Sequence, residues 1–119
     1  MRNFRNLEIW KRSVKFTKEV YLLTNEFPDK EKYGLISQIQ RAAVSVASNI
    51  AEGSSRKSQT DFARFLEIAI GSAFEVETQL IIAKELNYLK EQKFDEMIKQ
   101  LTIIQKQINQ LISKLRTNS

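Results

Sequence analysis

Apolar residues recur at spacings of three and four along nearly the whole chain, the period of helices that bury one face. The clearest run is Phe94, Met97, Leu101, Ile104, Ile108, Leu111 and Leu115. It has no gap, its outer positions are Lys, Gln and Asn, and it predicts a helix over 91–116. A second run, Phe62, Leu66, Ala69, Ala73, Val76, Leu80 and Ala83, predicts a helix over 59–87. Ser58-x-x-Asp61 opens it as a capping box with Asp in the usual Glu place. Gly71 interrupts it at a cost of about 1 kcal/mol relative to alanine, so a close approach by another helix or a bend is expected there.

Upstream, Ile36, Ile39, Ala43, Val46 and Ile50 predict a helix over 30–52, with Asp29 as its cap and Gly53 ending it in a left-handed conformation. Its many small residues, among them Ala42, Ala47, Ser48 and Ala51, let a neighbouring backbone come close. The first helix is expected over 6–26, capped by Asn6 and ended by Pro28. It carries two apolar stripes: Leu7, Trp10, Val14 and Tyr21, and Ile9, Phe16, Val20, Leu23 and Phe27. One core needs one stripe, so the surplus points to a homo-oligomer, with Phe16, Val20 and Leu23 expected at the contact between copies.

Four helices with short connections predict an all-α, antiparallel, up-down-up-down four-helix bundle, one domain over 1–119. One proline and three glycines agree with long helices rather than many turns. The chain has no cysteine and no histidine, which excludes disulfides, thiolate metal sites and histidine acid–base chemistry. The acidic residues of the third helix, Glu67, Glu75, Glu77 and Glu85, therefore read as a solvated face rather than a catalytic or metal site. A protein that is not an enzyme, with no metal and no cofactor, is expected. No stretch approaches a membrane span or a signal peptide, so the expected compartment is the cytoplasm.

Charge sharpens this reading. The net charge is +5, and residues 1–18 alone hold six cations against Glu8. Lys11, Lys15 and Lys18 fall on one helical face, flanked by Arg5 and Arg12. With Arg56 and Lys57 in the loop before the third helix, they are the candidate contacts to RNA or DNA phosphates. No base-reading motif accompanies them, so such contacts would position without specifying sequence. The competing expectation is a protein-interaction scaffold or accessory subunit, with a protein partner and no nucleic acid. A polar stripe on the second helix, Arg41, Ser45, Asn49 and Glu52, is expected to form a network at a helix or subunit contact.

Several blocks carry a family resemblance: Phe4-x-x-Leu7-x-x-Trp10, Phe27-Pro28-x-x-Glu31-x-Tyr33-Gly34-Leu35, Arg41-Ala42-x-x-Ser45-x-x-x-Asn49-Ile50-Ala51-Glu52-Gly53, and Phe62-x-x-Phe65-Leu66 through Gly71-Ser72-x-x-Glu75. They resemble the bacterial four helix bundle protein family, named for reading frames in intervening sequences of 23S ribosomal RNA genes. The likeness runs from Phe4 to about Leu89. It implies a four-helix protomer in a homopentameric ring. It extends to the accessory variability determinant of diversity-generating retroelements, a basic pentamer that binds nucleic acid and a reverse transcriptase. Ile70 stands where many relatives are expected to carry a basic residue, which removes one charge per subunit.

Overall fold

The 3–4 periodicities become four long helices packed side by side, in a computed structural model that describes residues 2–117. They are α1 (Glu8–Thr24), α2 (Leu35–Ser54), α3 (Gln59–Glu85) and α4 (Glu91–Thr117), with short 3-10 turns at Phe4–Asn6 and Asp29–Glu31. Each helix touches its sequence neighbour, and α1 closes the bundle against α4. The result is an antiparallel four-helix bundle 46 × 23 × 20 Å in extent.

The predicted stripes of α3 and α4 account for most of the core. Every residue of the α3 stripe is buried, and Met97, Leu101, Ile104, Ile108 and Leu115 are buried on α4. The most extensive helix pair is α2 with α3, where Ala42, Ala63, Ala69 and Ala73 lie in the core and keep side-chain bulk low.

On α1 the expected division of labour is reversed. Phe16, Val20 and Leu23 are core residues, at 2%, 0% and 5% exposure, so they cannot form a contact between copies. The stripe facing inward is Ile9, Ser13, Phe16, Val20, Leu23, and Phe27 continues it. Ser13 joins it because its hydroxyl is satisfied by donating to the Ile9 carbonyl at 2.6 Å. The other stripe is broken at Thr17, whose hydroxyl sits 2.7 Å from the Ser13 carbonyl and 3.1 Å from that of Ala43. The longer stripe, with five apolar residues against four, takes the core. Val14 and Tyr21, with Leu22 beyond them, are left at the surface.

The helix ends also differ from expectation. Leu7, not Asn6, precedes α1 and gives no side-chain cap; Asn3 instead accepts from the Arg5 amide in the preceding turn. Asp29 lies in the turn before α2, which starts only at Leu35, where the Glu31 carboxylate accepts from the Leu35 amide at 3.2 Å. The same carboxylate accepts from the Tyr88 hydroxyl at 2.8 Å, tying this turn to the α3–α4 connection. The Tyr88 hydrogen bond, then the Leu35 amide, hold Glu31 below the usual carboxylate range, and the Glu31 contact pushes the Tyr88 hydroxyl up. Gly53 does not terminate α2 in a left-handed conformation; it lies inside the helix, where no glycine has a positive φ. Its place is set by proximity, since an added Cβ would lie 2.6 Å from the Phe65 Cβ. Ser58 does cap α3, accepting from the Asp61 amide at 3.0 Å.

Candidate nucleic-acid interface

An antiparallel bundle brings the start of α1, the end of α2, the start of α3 and the end of α4 to one end. The segment before α1 is anchored there. Arg2 donates from Nη1 to the Arg56 carbonyl at 2.9 Å, and Phe4 packs edge-on to Trp10 at 5.1 Å. Trp10 is half-buried against the core.

This end gathers charge that is scattered in sequence. Within nine helical residues of it, with the adjoining turns, lie Arg2, Arg5, Lys11, Arg12, Lys15, Arg56, Lys57, Arg64, Lys114 and Arg116. Only Glu8, Glu52, Asp61 and Glu67 oppose these ten cations, so this end carries +6 and the rest of the chain −1. Six of the seven arginines are here. Four of those six pair with a carboxylate: Arg12 with Glu8, Arg56 with Glu52, Arg64 with Asp61, Arg116 with Glu67. All four pairs are solvent-exposed, and pairs of that kind contribute about 0–1 kcal/mol.

The predicted phosphate contacts are all exposed, but they divide into two groups. Lys11, Lys15 and Lys18 line the outer face of α1, interleaved with exposed Val14 and Leu22. Arg56 and Lys57 stand beside Arg2 and Ser55 around one concave surface of about 560 Å3. The guanidinium of Arg2 lies 4.8 Å from the centre of the Phe62 ring, and that of Arg56 lies 4.7 Å from that of Phe65. Arg5 lies over Phe4 at 4.5 Å. By sequence Arg2 is one of six cations in residues 1–18, and only the fold places it in the site. The aromatic residues at 62 and 65, one turn past the basic loop, were the available signal.

The polar stripe of α2 is only partly a network. Ser45 and Ser72 are 2.9 Å apart hydroxyl to hydroxyl, and Asn49 donates to both the Ser45 carbonyl and its hydroxyl. This bridges α2 to α3. Glu52 turns away to Arg56 instead. Arg41 is exposed and makes no hydrogen bond or ion pair among the described residues. It shares an open groove with Tyr33, Gln38 and Glu75. No buried Arg41–carboxylate pair is formed among the described residues, and Arg41→Ala is expected to leave the protomer's stability within about 0.5 kcal/mol of wild type. A urea melt on dilute protein checks this. Among the described residues Tyr33 is the most exposed large apolar side chain, at 89%, which its place in a family motif does not reveal.

The acidic residues of α3 do not converge. Glu67 binds Arg116, Glu77 accepts from Gln105 at 2.9 Å, and Glu75 and Glu85 face solvent. Among the described residues no group of three or more acids is placed to hold a metal ion. Among the described residues no helix is long and apolar enough to cross a membrane.

Gly71 lies on the outer face of α3, with nothing within 4 Å of an added Cβ, so the protomer holds no helix against it. Around it Ile68, Phe74, Ile81 and Ile82 are all exposed, among Glu67, Glu75 and Glu85.

The profile of the 23S rRNA-intervening sequence protein family matches residues 5–110. The crystal structure of a protein of unknown function from the S23 ribosomal protein family of Bacteroides thetaiotaomicron has the same fold, with a TM-score of 0.81 at 24% identity. The match covers 88% of this chain and 95% of that one. Among curated proteins no match is found.

Proposed function

Because the chain belongs to the 23S rRNA-intervening sequence protein family, and because its positive charge collects at one end of the bundle, we propose that it is a non-enzymatic homo-oligomer that binds the RNA or DNA backbone. The observation that carries this reading is the +6 end against a −1 remainder, a field that focuses on a polyanion rather than spreading over the surface. The absence of histidine and cysteine supports a binding role over catalysis.

Self-association is supported by two faces that differ from the ones expected. The outer face of α1 offers Val14, Tyr21 and Leu22 among lysines; that of α3 offers Ile68, Phe74 and Ile82 among glutamates, with Gly71 open between them. The α1 face of one copy complements the α3 face of the next in both apolar surface and charge. Two different faces make a head-to-tail contact, which closes into a ring if the rotation allows. Five copies is the number the family resemblance implies.

Salt-dependent binding to single-stranded and duplex RNA tests the function. If roughly four phosphates are neutralised, log K should fall with log salt at a slope of about −3 to −4. Light scattering on the same sample should report a species several times 13.9 kDa. No RNA or DNA shift at low salt, with the oligomer intact, would remove nucleic acid from the reading and leave the scaffold in its place. The apolar faces of α1 and α3 are the observation that favours that second reading.

A further inference from the structure

We propose that the primary phosphate-binding point is the concave surface formed by Arg2, Ser55, Arg56 and Lys57, and not the lysine face of α1; this rests on the nucleic-acid reading above.

Two features of these side chains separate them from the lysines. First, both guanidinium groups are held in place before any ligand arrives. Arg2 is fixed by the Phe62 ring and by its hydrogen bond to the Arg56 carbonyl. Arg56 is fixed by the Phe65 ring and by Glu52 at 3.0 Å. A guanidinium lying over an aromatic face keeps its N–H edges directed outward. Less conformational freedom is then lost on contact with phosphate than by a lysine on a four-carbon stem. The fork also matches two phosphate oxygens at once, which an ammonium does not. Glu52 is exposed, so its claim on Arg56 is weak and a phosphate oxygen can displace it or share the fork.

Second, the four residues surround a concavity contributed by two chain segments fifty-four residues apart, Arg2 and the α2–α3 turn. The hollow is shallow, and the Phe62 and Phe65 rings behind the two guanidinium groups keep water from one side of the charge, which strengthens the field where a phosphate would sit. Lys11 and Lys18 lie instead on the outer face of α1, and Lys15 borders with Arg12 a separate recess against α4 in which Glu19 opposes their charge. Their neighbours Val14 and Leu22 are the exposed apolar groups that a second copy would cover.

A charge-matched pair of variants tests the assignment. Arg2→Gln/Arg56→Gln/Lys57→Gln and Lys11→Gln/Lys15→Gln/Lys18→Gln each remove three positive charges, so long-range attraction falls equally in both. Titrated against polyuridylate at low salt, the first should lose roughly tenfold or more in affinity. Its log K–log salt slope should flatten by about 2, given about 0.7 per lost single-strand contact. The second, compared at a concentration where light scattering shows it to be as oligomeric as wild type, should lose only a few-fold. Equal losses, or a larger loss in the lysine variant, would overturn the proposal. Arg2→Lys/Arg56→Lys guards against a folding defect in the first variant, because it keeps the charge and removes only the fork. It should bind several-fold more weakly than wild type; unchanged binding would overturn the role of the held guanidinium groups. Wild-type protein that binds no polyuridylate would instead fail the underlying function, an outcome distinct from all of these.

Discussion

Phe16→Ala should destabilise the protomer by about 3–5 kcal/mol, the range for emptying a large aromatic site in a packed core. Domains of this size have a total stability of roughly 6–18 kcal/mol, so the loss is a large fraction of the whole. Phe16 is 2% exposed and lies between Ile9 and Val20 on the inward stripe of α1. A urea titration should show a much lower midpoint with little change in slope. The matching surface variant is Val14→Ser/Leu22→Ser. It should leave the melt of dilute protein nearly unchanged while shifting the light-scattering mass downward. A Phe16→Ala protein that dissociates yet melts like wild type would return Phe16 to the contact between copies.

Gly53→Ala should also destabilise, although alanine is the better helix former. Helix propensity returns at most about 1 kcal/mol. Against it stands a Cβ placed 2.6 Å from the Phe65 Cβ and 3.0 Å from a Phe62 ring carbon. A Cβ moves only with its backbone, so α2 and α3 would have to separate there. Overpacking of this kind costs about 1–3 kcal/mol, and the steric effect wins. Phe62 and Phe65 also carry the two held arginines, so the variant should weaken polyuridylate binding along with stability. Gly71→Ala is the internal control. With nothing within 4 Å of its Cβ, it should stabilise the isolated protomer by roughly 0.5–1 kcal/mol. Thermal melts of the two variants, read side by side, should move in opposite directions. A downward shift for both at dilution, or none for Gly53→Ala, would contradict the packing described here.

Helices α3 and α4 were legible because each has one long apolar stripe, without a rival on α4 and, on α3, opposed only by Ile68, Phe74 and Ile81 scattered among Glu67, Gly71 and Glu75. The periodicity then specifies both that the segment is helical and which face turns inward, as Leu66, Val76, Leu101 and Ile108 show. Ser58 was legible as a cap because capping is local, a hydroxyl and an amide three residues apart. The charge excess was legible too, but only as a property of residues 1–18.

What the sequence determined by itself is therefore local: four amphipathic helices, their order, and a chain without histidine or cysteine chemistry. Only the tertiary structure decided the choices between near-equal alternatives. Two stripes on α1 competed for one core, each holding one hydroxyl residue, and the one with Phe16, Val20 and Leu23, which has five apolar residues against four, took it. Gly53 is a turn signal by sequence, yet its reason is Phe65 on the facing helix. Arg41 has the spacing of a network residue, but among the described residues it makes no ion pair and shares only an open groove with Glu75. Arg2 is a terminal charge until the antiparallel arrangement sets it beside Arg56, over Phe62. Each of these depends on atoms far apart in the chain, and the spacing of residues along a helix holds no information about what the next helix brings against it.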